Sequence, residues 1–212
     1  MPKQNRVTPS GKIISNSSRG LFMGNRGILH DNAGVIRSQW KTQAWITCLL
    51  EFKGRKRQIL TPGSYTELFF LDEATAFSAG HRPCGECRYH DFQKFKMLWL
   101  AANPELLATK DQPGIKKIDQ IIHRQRVTSK KEKVVFESKL IDLPNGVFIQ
   151  QKEDPHYYLF LNNHLYRWSP AGYTFCKPAN MHKTVFVLTP KSIVNTIAAG
   201  YTACIHPSVD SL

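Results

Sequence analysis

Residues 81–88 read His-Arg-Pro-Cys-Gly-Glu-Cys-Arg, and no other stretch restricts the fold so tightly. Cys84 and Cys87 can share a ligand only if the chain turns between them. Both flanks of this knuckle are helical in pattern. Upstream, residues 71–79 make a short helix: Asp72 is a capping residue, Glu73 sits in the first turn, and Gly80 suits the left-handed residue that ends a helix. Downstream, Phe92, Phe95, Met97, Leu98, Trp99 and Ala102 supply the apolar face of a helix that begins near Gly85 and stops at Asn103-Pro104. A turn that leads into a helix N-terminus, with Arg82 and Arg88 beside it, favours thiolate over thiol.

Around this centre the pattern is mixed. Gly20, Gly24, Gly27 and Gly34 recur among Ser, Asn and Arg in residues 1–40, which predicts loops and short turns. Residues 45–52 predict a buried strand, residues 55–60 an antiparallel return after Lys53-Gly54, and residues 65–70 a third strand. Ile115, Ile118, Ile121 and Ile122 share one face of a third helix that runs to Arg126. The charged segment 128–133 is the best boundary between an α+β region, 1–128, and a β-rich region, 129–212, although the two can also form one compact domain. In the second region, strands are expected at 134–140 and 143–149, with a tight turn at Asn145-Gly146. A hairpin follows over 156–161 and 164–168 through Asn162-Asn163, and then a strand at 183–188. Thr189 and Pro190 open a closing helix that ends before Gly200. The expected class is α+β: small antiparallel sheets with a central group of helices around a Cys-x-x-Cys knuckle.

Charge narrows the partner. Twenty-nine Lys and Arg against sixteen Asp and Glu leave a net charge of +13, which raises the local concentration of polyanions and speeds their capture. Nucleic acid, DNA before RNA, is the expected partner, and an acidic protein is the alternative. Candidate phosphate contacts are Arg19 and Arg26 in the glycine-rich segment; Lys53, Arg55, Lys56 and Arg57 at the hairpin tip; Arg82 and Arg88 at the knuckle; and Lys116, Lys117, Arg124 and Arg126 on the third helix. No apolar run approaches the roughly 20 residues that span a bilayer, and the N-terminus lacks the apolar core of a signal peptide. A cytoplasmic protein is therefore expected. Its five irregularly spaced cysteines fit reduced thiols better than a disulfide framework.

Residues 69–88, Phe-Phe-Leu-Asp-Glu-Ala-Thr-Ala-Phe-Ser-Ala-Gly-His-Arg-Pro-Cys-Gly-Glu-Cys-Arg, resemble the second half of the zinc-binding domain of Ada-type DNA-repair proteins. In that family a strand and short helix lead into Gly-x-Arg-Pro-Cys-x-x-Cys, which delivers the last two zinc ligands to a domain that binds DNA phosphates. The resemblance implies zinc at Cys84 and Cys87 and a role in DNA repair or processing. The family takes its first two ligands from an upstream Cys pair, which includes the methyl-accepting cysteine. Here the corresponding stretch, 52–58, holds no Cys or His, so methyl transfer is not implied. By residue type, Cys48, His81 and His90 are the nearest candidates to complete the set. His90 lies about one helical turn beyond Cys87. Without metal, the cysteines would pack as buried free thiols.

Candidates for catalysis are sparser. His30-Asp31 pairs an imidazole with a carboxylate, and Glu86 between the cysteines can serve as an acid or base beside a metal-bound water. Together they frame the alternative of a metal-assisted or His-based nuclease. A zinc deaminase is disfavoured because no His-x-Glu precedes the Cys pair. There is no phosphate-binding P-loop, dinucleotide fingerprint or nucleophile elbow. Tyr157, Tyr158, Phe160, Tyr166, Arg167 and Trp168 can stack bases, or form core and cross-strand pairs.

Overall fold

A computed structural model describes residues 1–55, 58–107 and 113–212. Both helices and sheets are present, as expected of an α+β chain. The first sheet is assembled from β1 (Gln4–Val7), β2 (Ile13–Ser15), β3 (Phe22–Asn25), β4 (Ile46–Cys48), β5 (Leu68–Phe70) and β6 (Arg82–Pro83), in the order β2-β1-β5-β3-β4-β6. It is not purely antiparallel, because β1 runs parallel to β5 and β4 runs parallel to β6.

Three strands therefore lie where loops were expected. Their glycines serve the chain's own packing: a Cβ on Gly20 would fall 1.8 Å from the Phe70 carbonyl oxygen, and one on Gly24 would fall 2.0 Å from that of Ile46. Conversely, the strand expected over 45–52 is only three residues long. Leu49 and Leu50 are exposed, and residues 58–60 do not return as a strand.

The second sheet holds β7 (Phe136–Lys139), β8 (Val147–Gln150), β9 (Tyr157–Leu161), β10 (His164–Ser169), β11 (Gly172–Pro178) and β12 (Thr184–Val187), in the order β11-β10-β9-β8-β12-β7. All its pairings are antiparallel. The β9–β10 hairpin closes through Asn162 and Asn163 at φ +48° and +60°, the left-handed pair that a two-residue hairpin loop needs. β7 pairs with β12 and not with β8, and β11 is an edge strand that was not anticipated.

Four helices pack between and beside the sheets among the described residues: α1 (Glu73–Ser78), α2 (Tyr89–Ala102), α3 (Ile115–Arg126) and α4 (Lys191–Ala198). Asp72 caps α1, accepting from the Thr75 amide at 2.8 Å. The same carboxylate accepts from the Tyr173 hydroxyl at 2.7 Å and the His206 amide at 3.1 Å, so one buried cap ties α1 to β11 and the C-terminal segment. Thr189 does not cap α4. Its hydroxyl accepts from the Phe148 amide at 3.0 Å, and Pro190 occupies the cap position.

One apolar cluster joins Phe77, Phe95, Trp99, Ile118 and Ile193 of the helices to Val147, Ile149, Phe160 and Val187 of the second sheet. The alternate residues Phe148 and Leu159 pack on the opposite face with Leu71, Ala74 and Tyr173, the two-residue period of a sheet covered on both sides. Tyr158 and Phe160 thus belong to the core, as does most of the aromatic hairpin. Because the first cluster draws on both sides of residues 128–133, the two regions share a core. No helix among the described residues is long and apolar enough to cross a membrane.

Candidate metal centre

Parallel pairing of β4 with β6 sets Thr47 beside Pro83. The next residue on each strand is a cysteine, and the Cys84 amide donates to the Thr47 carbonyl at 2.8 Å to continue the register. Cys48 and Cys84 are therefore brought side by side by backbone pairing. The chain then turns through residues 85–88 into α2 and returns Cys87 to the pair.

The sulfurs of Cys48, Cys84 and Cys87 all lie within 4.8 Å of one another. Thiolates on one tetrahedral zinc, each at about 2.3 Å, stand about 3.8 Å apart, so the trio can close on a metal ion with small rotations. Three soft sulfur donors and no competing carboxylate suit zinc better than magnesium or calcium. Met23, Ile46, Tyr65 and Phe69 pack around them, and Cys48 and Cys84 are buried while Cys87 is half-buried.

The three thiols do not share protons equally. Hydrogen bonding with Cys48, aided by the Glu86 and Cys87 amides against the cost of burial, lowers Cys84 to about 5. The Glu86 amide lies 3.4 Å from the Cys84 sulfur. Cys48 moves upward as the donor to that sulfur and through its own burial, and burial raises Cys87. The proton is thus drawn away from Cys84 and toward its two neighbours.

Arg82 and Arg88, expected to face phosphates, point inward. Arg82 makes a two-pronged pair with Asp119 of α3, both bonds at 2.8 Å. Arg88 donates to Glu73 at 2.6 Å, to Asp91 at 2.8 and 2.9 Å, and to the Thr47 hydroxyl at 3.0 Å. Both arginines are buried. They clamp the two ends of the cysteine turn to α3, α1 and β4, because a buried guanidinium must be matched by carboxylates and hydrogen bonds.

Other expected residues disperse. His81 and His90 stand outside the thiol group. His81 is fully buried, accepts from Arg26 Nε at 3.2 Å, and packs against the Trp45 and Phe70 rings. His90 is exposed in the first turn of α2. His30 and Asp31 do not form a dyad. The His30 ring engages the Thr66 hydroxyl at 2.6 Å and the Thr61 carbonyl at 3.2 Å, whereas Asp31 binds its own loop amides and Arg37. Glu86 is exposed and pairs with Arg55.

Among the cations, Arg19, Lys53, Arg55, Lys116, Lys117 and Arg124 are exposed. Arg26 and Arg126 are buried at 1 % exposure each, which removes them from any surface contact. Lys56 and Arg57 lie outside the described residues. Asp119 and Thr47, which hold the turn, had no signal in the sequence, and Glu73 was legible only as a first-turn acid of its helix. Their partners are fixed by tertiary approach and not by spacing.

No model of a known protein family matches this chain, and neither does any curated protein or solved structure.

Proposed function

We propose that this protein binds a zinc ion through Cys48, Cys84 and Cys87 and binds nucleic acid, DNA in the first instance, in a repair or processing role. The observation that carries the reading is the convergence of three thiols, one from a strand distant in sequence, on one point of the fold. Cys48 takes the place of the upstream Cys pair of the Ada-type domains that residues 69–88 resemble. Three protein donors leave the fourth tetrahedral position to an outside ligand. The metal would fasten β4 to the turn before α2.

The basic surface survives the burial of four arginines. Arg82 and Arg88 are neutralised by Asp119 and Glu73, so burying them takes nothing from the surface imbalance. Arg55 and Lys53 follow Cys48 closely in the chain, and Arg55 reaches Glu86 in the cysteine turn. These cations would contact phosphates beside the metal, with Lys116, Lys117, Arg124 and Arg19 extending the basic surface.

Metal analysis and DNA binding on the same tag-free preparation test the reading. One zinc per chain is expected, falling to near zero in Cys48→Ser as in Cys84→Ser. DNA affinity should fall steeply with salt, with a slope of about −0.9 per phosphate contacted, and should flatten in Lys53→Ala/Arg55→Ala. Zinc retained in Cys48→Ser would overturn the ligand set, and absence of binding at low salt would overturn the partner.

A further inference from the structure

Two of the four buried arginines do not pair with acids. Arg26 follows β3, and Arg126 is the last residue of α3. Their guanidinium carbons lie 3.9 and 3.7 Å from the centre of the Trp45 ring. A third cation joins them: the Lys133 stem reaches in from a half-exposed turn and its ammonium donates to the Ser78 carbonyl. Arg26 donates otherwise to the Gly11 carbonyl and His81. Arg126 donates to the carbonyls of Gly80 and Gln43 and contacts the His123 ring. Every one of these partners is neutral or a second base. The nearby carboxylate, Asp119, has both oxygens engaged by Arg82.

These groups line a cavity of about 320 Å³ with Lys12, Lys131 and Glu132, the one acid in its wall and an exposed one. Two donors have no partner: Arg26 Nη2 and Arg126 Nε are buried and make no hydrogen bond. Arg26 Nη2 lies against the Gly11 wall of the cavity, 3.7 Å from where a Cβ on Gly11 would stand. The backbone is shaped to permit this. Gly80 has φ +87°, and a Cβ there would meet Arg126 Cδ at 2.5 Å, so only glycine lets the Arg126 side chain pass.

Buried cations stacked on one ring and without a counter-charge repel one another, and a low-dielectric surround strengthens the repulsion. Burial pulls Arg26 down to about 9 and Lys133 to about 7. An anion inside the cavity would remove both penalties. Guanidinium forks favour oxyanions with several acceptor atoms, and a dianion balances two of the three cations.

We propose that this cavity is a binding site for a phosphate monoester, held by Arg26, Arg126 and Lys133 over Trp45. Its volume is at the small end of ligand pockets: room for a phosphate and an attached sugar, and none for a duplex. This site uses none of the exposed cations assigned to DNA above and stands independently of that assignment. A strand terminus and a free phosphorylated metabolite share the same chemistry.

Titration calorimetry and thermal melting in chloride buffers of constant ionic strength, with inorganic phosphate, a deoxynucleoside 5′-monophosphate and the unphosphorylated nucleoside, test it. Phosphate and the monoester should bind and raise the melting temperature, and the nucleoside should not. Arg26→Met should lose at least tenfold in phosphate affinity, and a cooperative melt without ligand checks that it still folds once its hydrogen bonds to the Gly11 carbonyl and His81 are gone. Lys133→Met should lose affinity as well. No phosphate-dependent shift in the parent, or unchanged affinity in either folded variant, would overturn the site. Comparing 5′-phosphorylated with 5′-hydroxyl single strands then separates the sources. Tighter binding of the 5′-phosphorylated strand than of its 5′-hydroxyl counterpart identifies a strand end, and equal binding of the two a small molecule.

Discussion

Removing the Asp119 carboxylate is the most direct probe of how the thiol turn is held. Asp119→Ala would strand Arg82 as a buried charge beside Arg126, and losing one partner of a buried pair costs about 3–5 kcal/mol. Urea unfolding should show that loss, and Arg82→Met/Asp119→Leu should recover most of it, because an apolar pair of similar volume carries no desolvation penalty. A loss in Asp119→Ala below about 1 kcal/mol would mean that the clamp is not holding the turn. The same residues mark how far a site can be read from sequence. Cys84 and Cys87 are legible through their spacing, and Cys48 as the sole upstream cysteine. Arg82 and Arg88 carry no mark of direction, because the carboxylates that turn them inward lie 37 and 15 residues away. A guanidinium beside a cysteine looks the same in sequence whether it faces phosphate or aspartate.

Elements were legible where local chemistry decides them. Asp72 and Gly80 bound α1, isoleucine spacing marks α3, and Asn162-Asn163 closes the β9–β10 hairpin. Hidden elements are those held by distant partners. β1 and β3 are short and sit among glycines, and they become strands because β5 and β4 arrive beside them, while β2 pairs with β1 at the sheet edge. β11 alternates poorly because it is an edge strand with Thr174 and Phe175 exposed. The hairpin turn offers a clean test of the local rule. Asn163 sits at φ +60°, a conformation that costs a β-branched residue about 1–2 kcal/mol and glycine nothing. Asn163→Val should lower the unfolding free energy by that amount, while Asn163→Gly should leave it within about 0.5 kcal/mol of the parent or raise it. Equal urea midpoints for all three would mean that the turn does not set the register. Asn162 is a poorer probe, because it also exchanges two hydrogen bonds with Asn145.

At the scale of the molecule, the excess of base over acid reaches the interior and ties stability to pH. Burial lowers Lys133 to about 7, and burial together with Arg126 lowers His123 to about 4. His81 falls well below its usual value through burial and the neighbouring Arg26 and Arg126. For each base the folded pKa lies under the unfolded one, so between the two values the unfolded chain holds more protons. Stability must then rise with pH through that window. The windows run from about 4 to 6.5 for His123 and from about 7 to 10.5 for Lys133. One proton of difference contributes at most about 1.4 kcal/mol per pH unit. Above pH 10 the Tyr173 and Tyr201 hydroxyls, raised by burial, oppose this trend, since there the unfolded chain ionises first. Unfolding in chloride buffers at pH 5.5, 7 and 9 should therefore show stability increasing at each step. Adding phosphate should flatten the rise between 7 and 9, because an anion beside Lys133 keeps the ammonium charged in the fold and removes its excess affinity for losing a proton. A rise of equal slope with and without phosphate would separate the buried cations from the cavity they line. An equal rise from pH 7 to 9 in Lys133→Met and the parent would show that Lys133 does not supply it.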